Sequence, residues 1–199
     1  SQAEVDAYYP QLYSFCRANE ATDLPKGQSD TCLVYWPAPS AMKQAAKRML
    51  PGKVLPASLF DTRAKAWLRG AVETALSTKA AENFIAHTYG IVVILGKPKS
   101  RGSLWLASDD PRAQAVIDPA YFTHPEDMQT MLAGVRLAQQ IAKAPALTEF
   151  GNSPLMPGKR ATSDKALQKF VEKNVMTTFH FAGTCRMGED ERAPVDLRL

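Results

Sequence analysis

The chain has 199 residues, 45% of them hydrophobic, with 24 Lys and Arg against 20 Asp and Glu for a formal charge of +4. These proportions suit one globular core of moderate size. The basic excess is too small, and too little interleaved with aromatics, for a nucleic-acid surface, and no apolar run approaches the roughly 18 residues of a membrane-spanning helix.

From the N-terminus, residues 3–9 are expected to form a short helical turn closed by Pro10. Residues 11–17 read as a strand, with Leu12, Tyr13 and Phe15 suited to a pleated surface. A polar loop over 19–30, turning at Pro25-Lys26-Gly27, leads to a second strand over 31–36 that Pro37-Ala38-Pro39 stops. Its period of two places Cys32, Val34 and Trp36 on one face and Leu33 and Tyr35 on the other. Ser40 caps an expected helix to Met49, ended by Pro51-Gly52. An alanine-rich helix follows from about Asp61 to Leu76, with Trp67, Leu68, Val72 and Leu76 as its buried stripe.

Residues 84–95 read as a long strand with a bulge at Gly90, and Ile91 to Leu95 as its buried part. His87 has no acidic or cysteine neighbour in that strand and reads as structural. A hairpin turn over 96–102 leads to a strand over 103–107, and Arg101 is expected to hold the turn by bonding carbonyls or a carboxylate. Val116-Ile117-Asp118-Pro119 is an extended connection. Thr123-x-x-Glu126 has the form of a capping box, with His124 facing solvent at the cap and Pro125 in the first turn. The helix it opens carries Met128, Met131, Leu132, Val135, Ala138 and Ala142 on one stripe and ends before Pro145. After a Gly, Pro and Asn loop, Ser163 caps a last helix with Leu167, Phe170 and Val171 inward. Strands and helices mix without regular alternation. The fold expected is therefore α+β, a mixed, largely antiparallel sheet with helices packed on one side, over a single domain of residues 1–199.

Basic residues at Lys43, Lys47, Arg48 and Lys53, and at Lys97, Lys99 and Arg101, read as solvated faces. The three cysteines, Cys16, Cys32 and Cys185, are too few for a disulfide framework and lack metal-ligand spacing, so no metal site is expected. An odd cysteine count, and a start at Ser1 to Glu4 without the features of a signal peptide, favour a reducing, cytoplasmic setting. The absence of an initiating Met suggests a fragment or a trimmed start.

The last helix delivers the chain to Thr177-Thr178-Phe179-His180-Phe181-Ala182-Gly183-Thr184-Cys185-Arg186-Met187-Gly188. Apolar residues on both sides of His180 suggest a partly buried extended segment running into a glycine-punctuated turn. An imidazole titrates near neutrality, so this one is a candidate general base or hydrogen-bond donor. The alternative is a core histidine satisfied by a backbone carbonyl. Cys185 invites a thiol-nucleophile reading.

The string Phe-His-x-x-Gly-Thr-Cys-Arg-Met-Gly resembles the C-terminal signature of glucose–methanol–choline (GMC) oxidoreductases, flavin-dependent alcohol oxidases and dehydrogenases. Lys97-Pro98-Lys99-Ser100-Arg101-Gly102-Ser103 is similar to the family's Pro-x-Ser-Arg-Gly segment. Ile117-Asp118-Pro119-Ala120-Tyr121, Pro125-Glu126-Asp127, Gly134-Val135-Arg136 and Val195-Asp196 follow in family order. The strands over 11–17 and 30–37 fit the family's spacing loosely.

The resemblance implies the family's substrate-binding domain, a mixed sheet backing the active site. The implied reaction is oxidation of a CH–OH group in a small alcohol, with hydride transfer to FAD. His180 is then the catalytic residue, Phe179 the adjacent pocket wall, and Trp36, Val34 and Gln11 further substrate contacts, while the Cys185 position packs and does no chemistry. Gln11 stands where some choline-type members have a glutamate, and a neutral amide disfavours choline. No Gly-x-Gly-x-x-Gly occurs in the chain, so no cofactor-binding residue is assigned here. The FAD-binding domain and a C-terminal tail with a second catalytic histidine or asparagine are expected outside it, leaving the fragment inactive alone. The rival is a non-catalytic binding or interaction module that keeps the substrate-domain fold.

Overall fold

The computed structural model describes residues 12–36, 63–183, 185–191 and 193–198. The helices expected over 3–9 and from Ser40 to Met49 lie outside these, as does Gln11. Two compact units are distinguished, one of residues 1–18 and 24–94, the other of 19–23 and 95–199. In both, strands pair antiparallel alongside separate helices, which is the α+β class.

In the first unit, β1 (Leu12–Cys16), β2 (Thr31–Trp36) and β3 (Gly90–Leu95) form a sheet in the order β1-β2-β3. β1 and β2 are antiparallel, with Tyr13 opposite Val34 and Phe15 opposite Cys32. β2 is the central strand, and Cys32, Leu33 and Val34 are all buried. The alternating faces expected of β2 are both buried at these three residues, as in strands covered from either side. Tyr13 and Phe15 on the edge strand β1 are exposed. The buried carboxylate of Asp30 closes the connection by accepting the Ala18 N–H at 2.8 Å, while the Asp30 N–H donates to the Cys16 carbonyl at 3.1 Å. Burial, reinforced by Asp30 and Cys32, pushes the Cys16 thiol above its usual pKa.

α1 (Arg63–Leu76) runs where the alanine-rich stretch placed it. Leu68, Val72 and Leu76 form its half-buried stripe, but Trp67 is 74% exposed. α2 (Lys79–Ala86) corrects the long strand: residues 84–86 are helical, and the strand starts at Gly90. The Thr78 hydroxyl accepts the Ala81 N–H to start this helix, and Ala80 and Ala81 favour helical backbone. The helix ends where His87 Nδ1 meets the Asn83 carbonyl at 2.7 Å and the Thr88 hydroxyl donates to the Ile85 carbonyl. His87 is thus structural. β3 is half-buried rather than buried, with Val92 exposed.

In the second unit, β4 (Ser103–Trp105) pairs antiparallel with β5 (Val116–Asp118). The expected hairpin across 96–102 does not form, because β3 pairs with β2 and β4 with β5. What fixes residues 98–102 is a different element, α3 (Pro125–Ile141). Asp127, 2% exposed, accepts the Lys99 N–H at 2.7 Å on one oxygen and the Ser100 N–H at 2.8 Å on the other. Lys99 Nζ donates to Asp23 at 2.9 Å and to Glu126 at 2.8 Å, and these bonds, Asp23 foremost, hold its ammonium pKa above the ordinary lysine value. Both acids in the first turn of α3 also suit its positive dipole end.

The Ser100 hydroxyl accepts the His124 N–H at 3.0 Å, so the helix cap falls on His124, whose Nδ1 accepts the Glu126 N–H. Thr123, expected as the cap, instead donates back to the Ala120 carbonyl. Gly102 allows the next contact: a Cβ there would lie 2.2 Å from the Asp118 carbonyl oxygen of β5.

α3 packs on α5 (Asp164–Asn174), which follows the one-turn helix α4 (Pro145–Thr148). Leu132, Val135 and Ala138 are the buried apolar residues of α3, and Leu167 and Val171 those of α5. Ser163 caps α5 through the Ala166 N–H. Met128, Met131, Ala142 and Phe170, expected inside, are half-buried. The buried face of α3 turns instead to take in Asp127 and Thr130, whose hydroxyl accepts from the Asn19 amide.

Replacing Asp127 with Asn leaves an amide whose NH₂ group opposes one of the two N–H donors. Asp127→Asn is expected to cost about 1–3 kcal/mol in urea unfolding, the penalty of an unpaired buried donor. Amide exchange at Lys99 and Ser100 should accelerate in parallel; unchanged exchange at both would refute the clamp.

Candidate active site

α5 ends where the Val175 N–H reaches the Val171 carbonyl, and Val175 turns to an extended backbone. The Thr177 hydroxyl oxygen then accepts the Phe179 N–H at 2.9 Å, a local turn that threonine side chains commonly make. Phe179 sits in the left-handed region at φ 63°. For a residue with a Cβ that conformation costs roughly 1–2 kcal/mol. Gly183, at φ 97°, supplies the second left-handed position without that cost.

His180 lies between these two points and is exposed. The partly buried extended segment expected there is instead an exposed turn, because backbone reversal at Phe179 takes the segment out of any ladder. Among the described residues, none hydrogen-bonds the imidazole, so the core-histidine alternative does not describe it. The rings of Phe179 and Phe181, which flank it in sequence, meet edge to face at 6.3 Å and 88°. Phe181, 82% exposed, also borders an open concavity of about 390 Å³ with Ala182, Gly183 and Cys185.

Beyond the turn, the chain closes on itself. Arg186 grips Asp190 with two hydrogen bonds of 2.8 and 2.5 Å, which raise the guanidinium pKa further. The Gly188 N–H donates to the Val195 carbonyl at 3.0 Å. Cys185 is exposed rather than packed, since the loop that follows turns back on Val195 and leaves the thiol uncovered.

Phe179 and His180 thus share one turn of the second unit. Val34, 3% exposed, and the half-buried Trp36 lie two residues apart on β2 of the first unit, and Gln11 lies outside the described residues. Arg101 donates to the carbonyls of Pro98 at 2.7 Å and Ser100 at 3.0 Å, the turn-holding role expected of it. Asp127 stands in the sequence only as part of the Pro125-Glu126-Asp127 stretch, with no role given to it. Its place in a helix first turn signals dipole complementarity, but nothing local announces donors 27 and 28 positions upstream. No helix among the described residues is long and apolar enough to cross a membrane.

Residues 98–199, just over half of the chain, match the family model for GMC oxidoreductase, and the chain belongs to that family. Choline oxidase from Arthrobacter globiformis is 45% identical over 105 residues, covering 51% of this chain and 19% of that protein. An alcohol dehydrogenase [acceptor] from Pseudomonas putida is 38% identical over 99 residues, covering 50% and 18%. Oxygen-dependent choline dehydrogenase from Photobacterium profundum is 34% identical over 107 residues, covering 54% and 19%. The chain therefore spans about a fifth of the length of these relatives. Among solved structures, that of pyridoxine 4-oxidase from Mesorbium loti aligns with a TM-score of 0.62 at 22% identity, covering 94% of this chain and 29% of that one. This likeness establishes the fold alone.

The exposed turn makes Cys185 the thiol most open to reagent. In this chain, a disulfide-exchange reagent is expected to titrate one thiol rapidly, and Cys185→Ser to abolish that phase. Rapid reaction of the buried Cys32 would contradict the arrangement.

Proposed function

We propose that this chain is the substrate-side portion of a longer flavin-dependent oxidoreductase that oxidises the CH–OH group of a small alcohol, with residues 1–199 as its substrate-binding domain. The observation that carries this reading is the His180 imidazole, exposed between two phenylalanines on the segment that matches the family. Three relatives bear the names of alcohol-oxidising enzymes, which supports the same reaction class.

Oxidising an alcohol to a carbonyl removes two electrons and two protons, one proton leaving with the electron pair as hydride. Bound FAD would supply the two-electron acceptor, taking the carbon-bound hydrogen as hydride. His180 accepts the hydroxyl proton, or donates a hydrogen bond to the oxygen as negative charge develops there. A positioned acid–base group of this kind contributes roughly 10²–10⁴-fold. In the same proposal Phe179 and Phe181, which flank His180 in the chain, limit water at the reacting oxygen once substrate is in place. No residue of this chain is assigned to holding the cofactor, whose pyrophosphate is given to a part of the enzyme outside this chain. The same proposal gives substrate contacts to Phe179 and, in the first unit, to Trp36, Val34 and Gln11. The chain alone is expected not to turn over.

In the full-length protein, anaerobic mixing with a panel of primary alcohols is expected to bleach the flavin absorption with at least one of them. His180→Ala should slow that bleaching by about 10²–10⁴-fold. Bleaching at the wild-type rate in the variant would remove His180 from the mechanism, and no bleaching by any alcohol would remove the reaction class.

A further inference from the structure

We propose that Thr177 is a positioning residue for His180: its hydroxyl holds Phe179 in the left-handed backbone conformation and so sets the direction in which the imidazole leaves the turn. The inference rests on the reading of His180 as the acid–base group. Its own support is geometric. Phe179 has φ 63°, and its N–H donates to Thr177 Oγ1 at 2.9 Å. A bulky aromatic residue is an uncommon occupant of that region, which asparagine, aspartate and above all glycine enter more readily. The Thr177 hydroxyl offers a hydrogen bond that offsets this conformation, and it comes from a half-buried side chain where α5 gives way to the turn.

The residue after a backbone reversal takes its direction from that reversal. If Phe179 relaxes to an ordinary extended conformation, its successor's Cα–Cβ vector swings away and the edge-to-face contact of Phe179 with Phe181 is lost. Catalysis by an imidazole is sensitive to displacements of about 1 Å. A hydroxyl that touches neither substrate nor cofactor therefore has a route to the rate.

The test uses the full-length flavoprotein and an alcohol that bleaches it. Thr177→Val keeps the shape but removes the acceptor, whereas Thr177→Ser keeps the acceptor. Thr177→Val is expected to slow flavin reduction at saturating alcohol by about 3–10-fold, the effect of one weak hydrogen bond. The alcohol dissociation constant should stay within about twofold. Amide exchange across residues 178–181, read by mass spectrometry, should accelerate. Thr177→Ser should match wild type on all three.

Equal slowing by Val and Ser, or no change in exchange with Val, overturns the proposal. In a His180→Ala background, Thr177→Val should add no further slowing, because its action passes through the missing imidazole. An undiminished further slowing there also overturns it. A wild-type rate for His180→Ala alone would instead defeat the underlying reading, while the effect of Thr177 on exchange persists. Where Thr177→Val fails to retain flavin, a second pair decides. Phe179→Asn, tolerant of left-handed backbone, should keep more of the rate than Phe179→Ile, which is not; equal loss in the two contradicts the proposal.

Discussion

One buried carboxylate organises the described part of the second unit. Asp127 stands at the start of α3 and takes a backbone N–H on each oxygen, from Lys99 and Ser100. A carboxylate so placed must be paired in this way, because leaving its lone pairs unmatched away from water is costly. The constraint then spreads. Ser100, once held, receives the His124 N–H and sets the helix cap; Gly102, two residues further, lies against the Asp118 carbonyl and admits no side chain. The β4–β5 pair takes its place relative to α3 from this chain of contacts rather than from the β4–β5 ladder alone.

The segment that carries His180 is built on the opposite plan. Among its described residues no helix or strand runs through it, and one threonine hydroxyl, two left-handed residues, the Arg186–Asp190 pair and the Gly188–Val195 bond contribute to its shape. Its apolar side chains, Phe179, Phe181 and Met187, are exposed. Large apolar groups gathered on an exposed turn mark a surface made for contact. In the proposed enzyme that contact is with the alcohol and the flavin. Strain at Phe179 fits the same picture, since left-handed backbone at residues with side chains concentrates at functional sites.

Much of this was legible in the amino-acid sequence, for identifiable reasons. β2 could be bounded at Thr31 and Trp36 because β-branched and aromatic residues end abruptly at Pro37. α5 could be placed because Ser163 is a strong cap and Leu167, Phe170 and Val171 recur at helical spacing. The stretch over 84–86 was misread because Phe84 and Ile85 have strand-like side chains, while the deciding signal was a cap six residues earlier at Thr78. The α3 cap shifted by one residue for a non-local reason, the Ser100 hydroxyl 24 positions away. At the candidate site, motif and histidine were readable together, since the motif is contiguous. The exposure of His180 and Cys185 was not, because apolar neighbours ordinarily imply burial, and only the backbone reversal at Phe179 undoes that.

The most direct measurement is the structure of the full-length protein with flavin bound and an ether analogue of an alcohol it oxidises. An imidazole nitrogen of His180 is expected within hydrogen-bond reach, about 2.6–3.2 Å, of the analogue's oxygen. An imidazole turned away from both the flavin and that oxygen, with another side chain in its place, would contradict the assignment of His180 as the acid–base group.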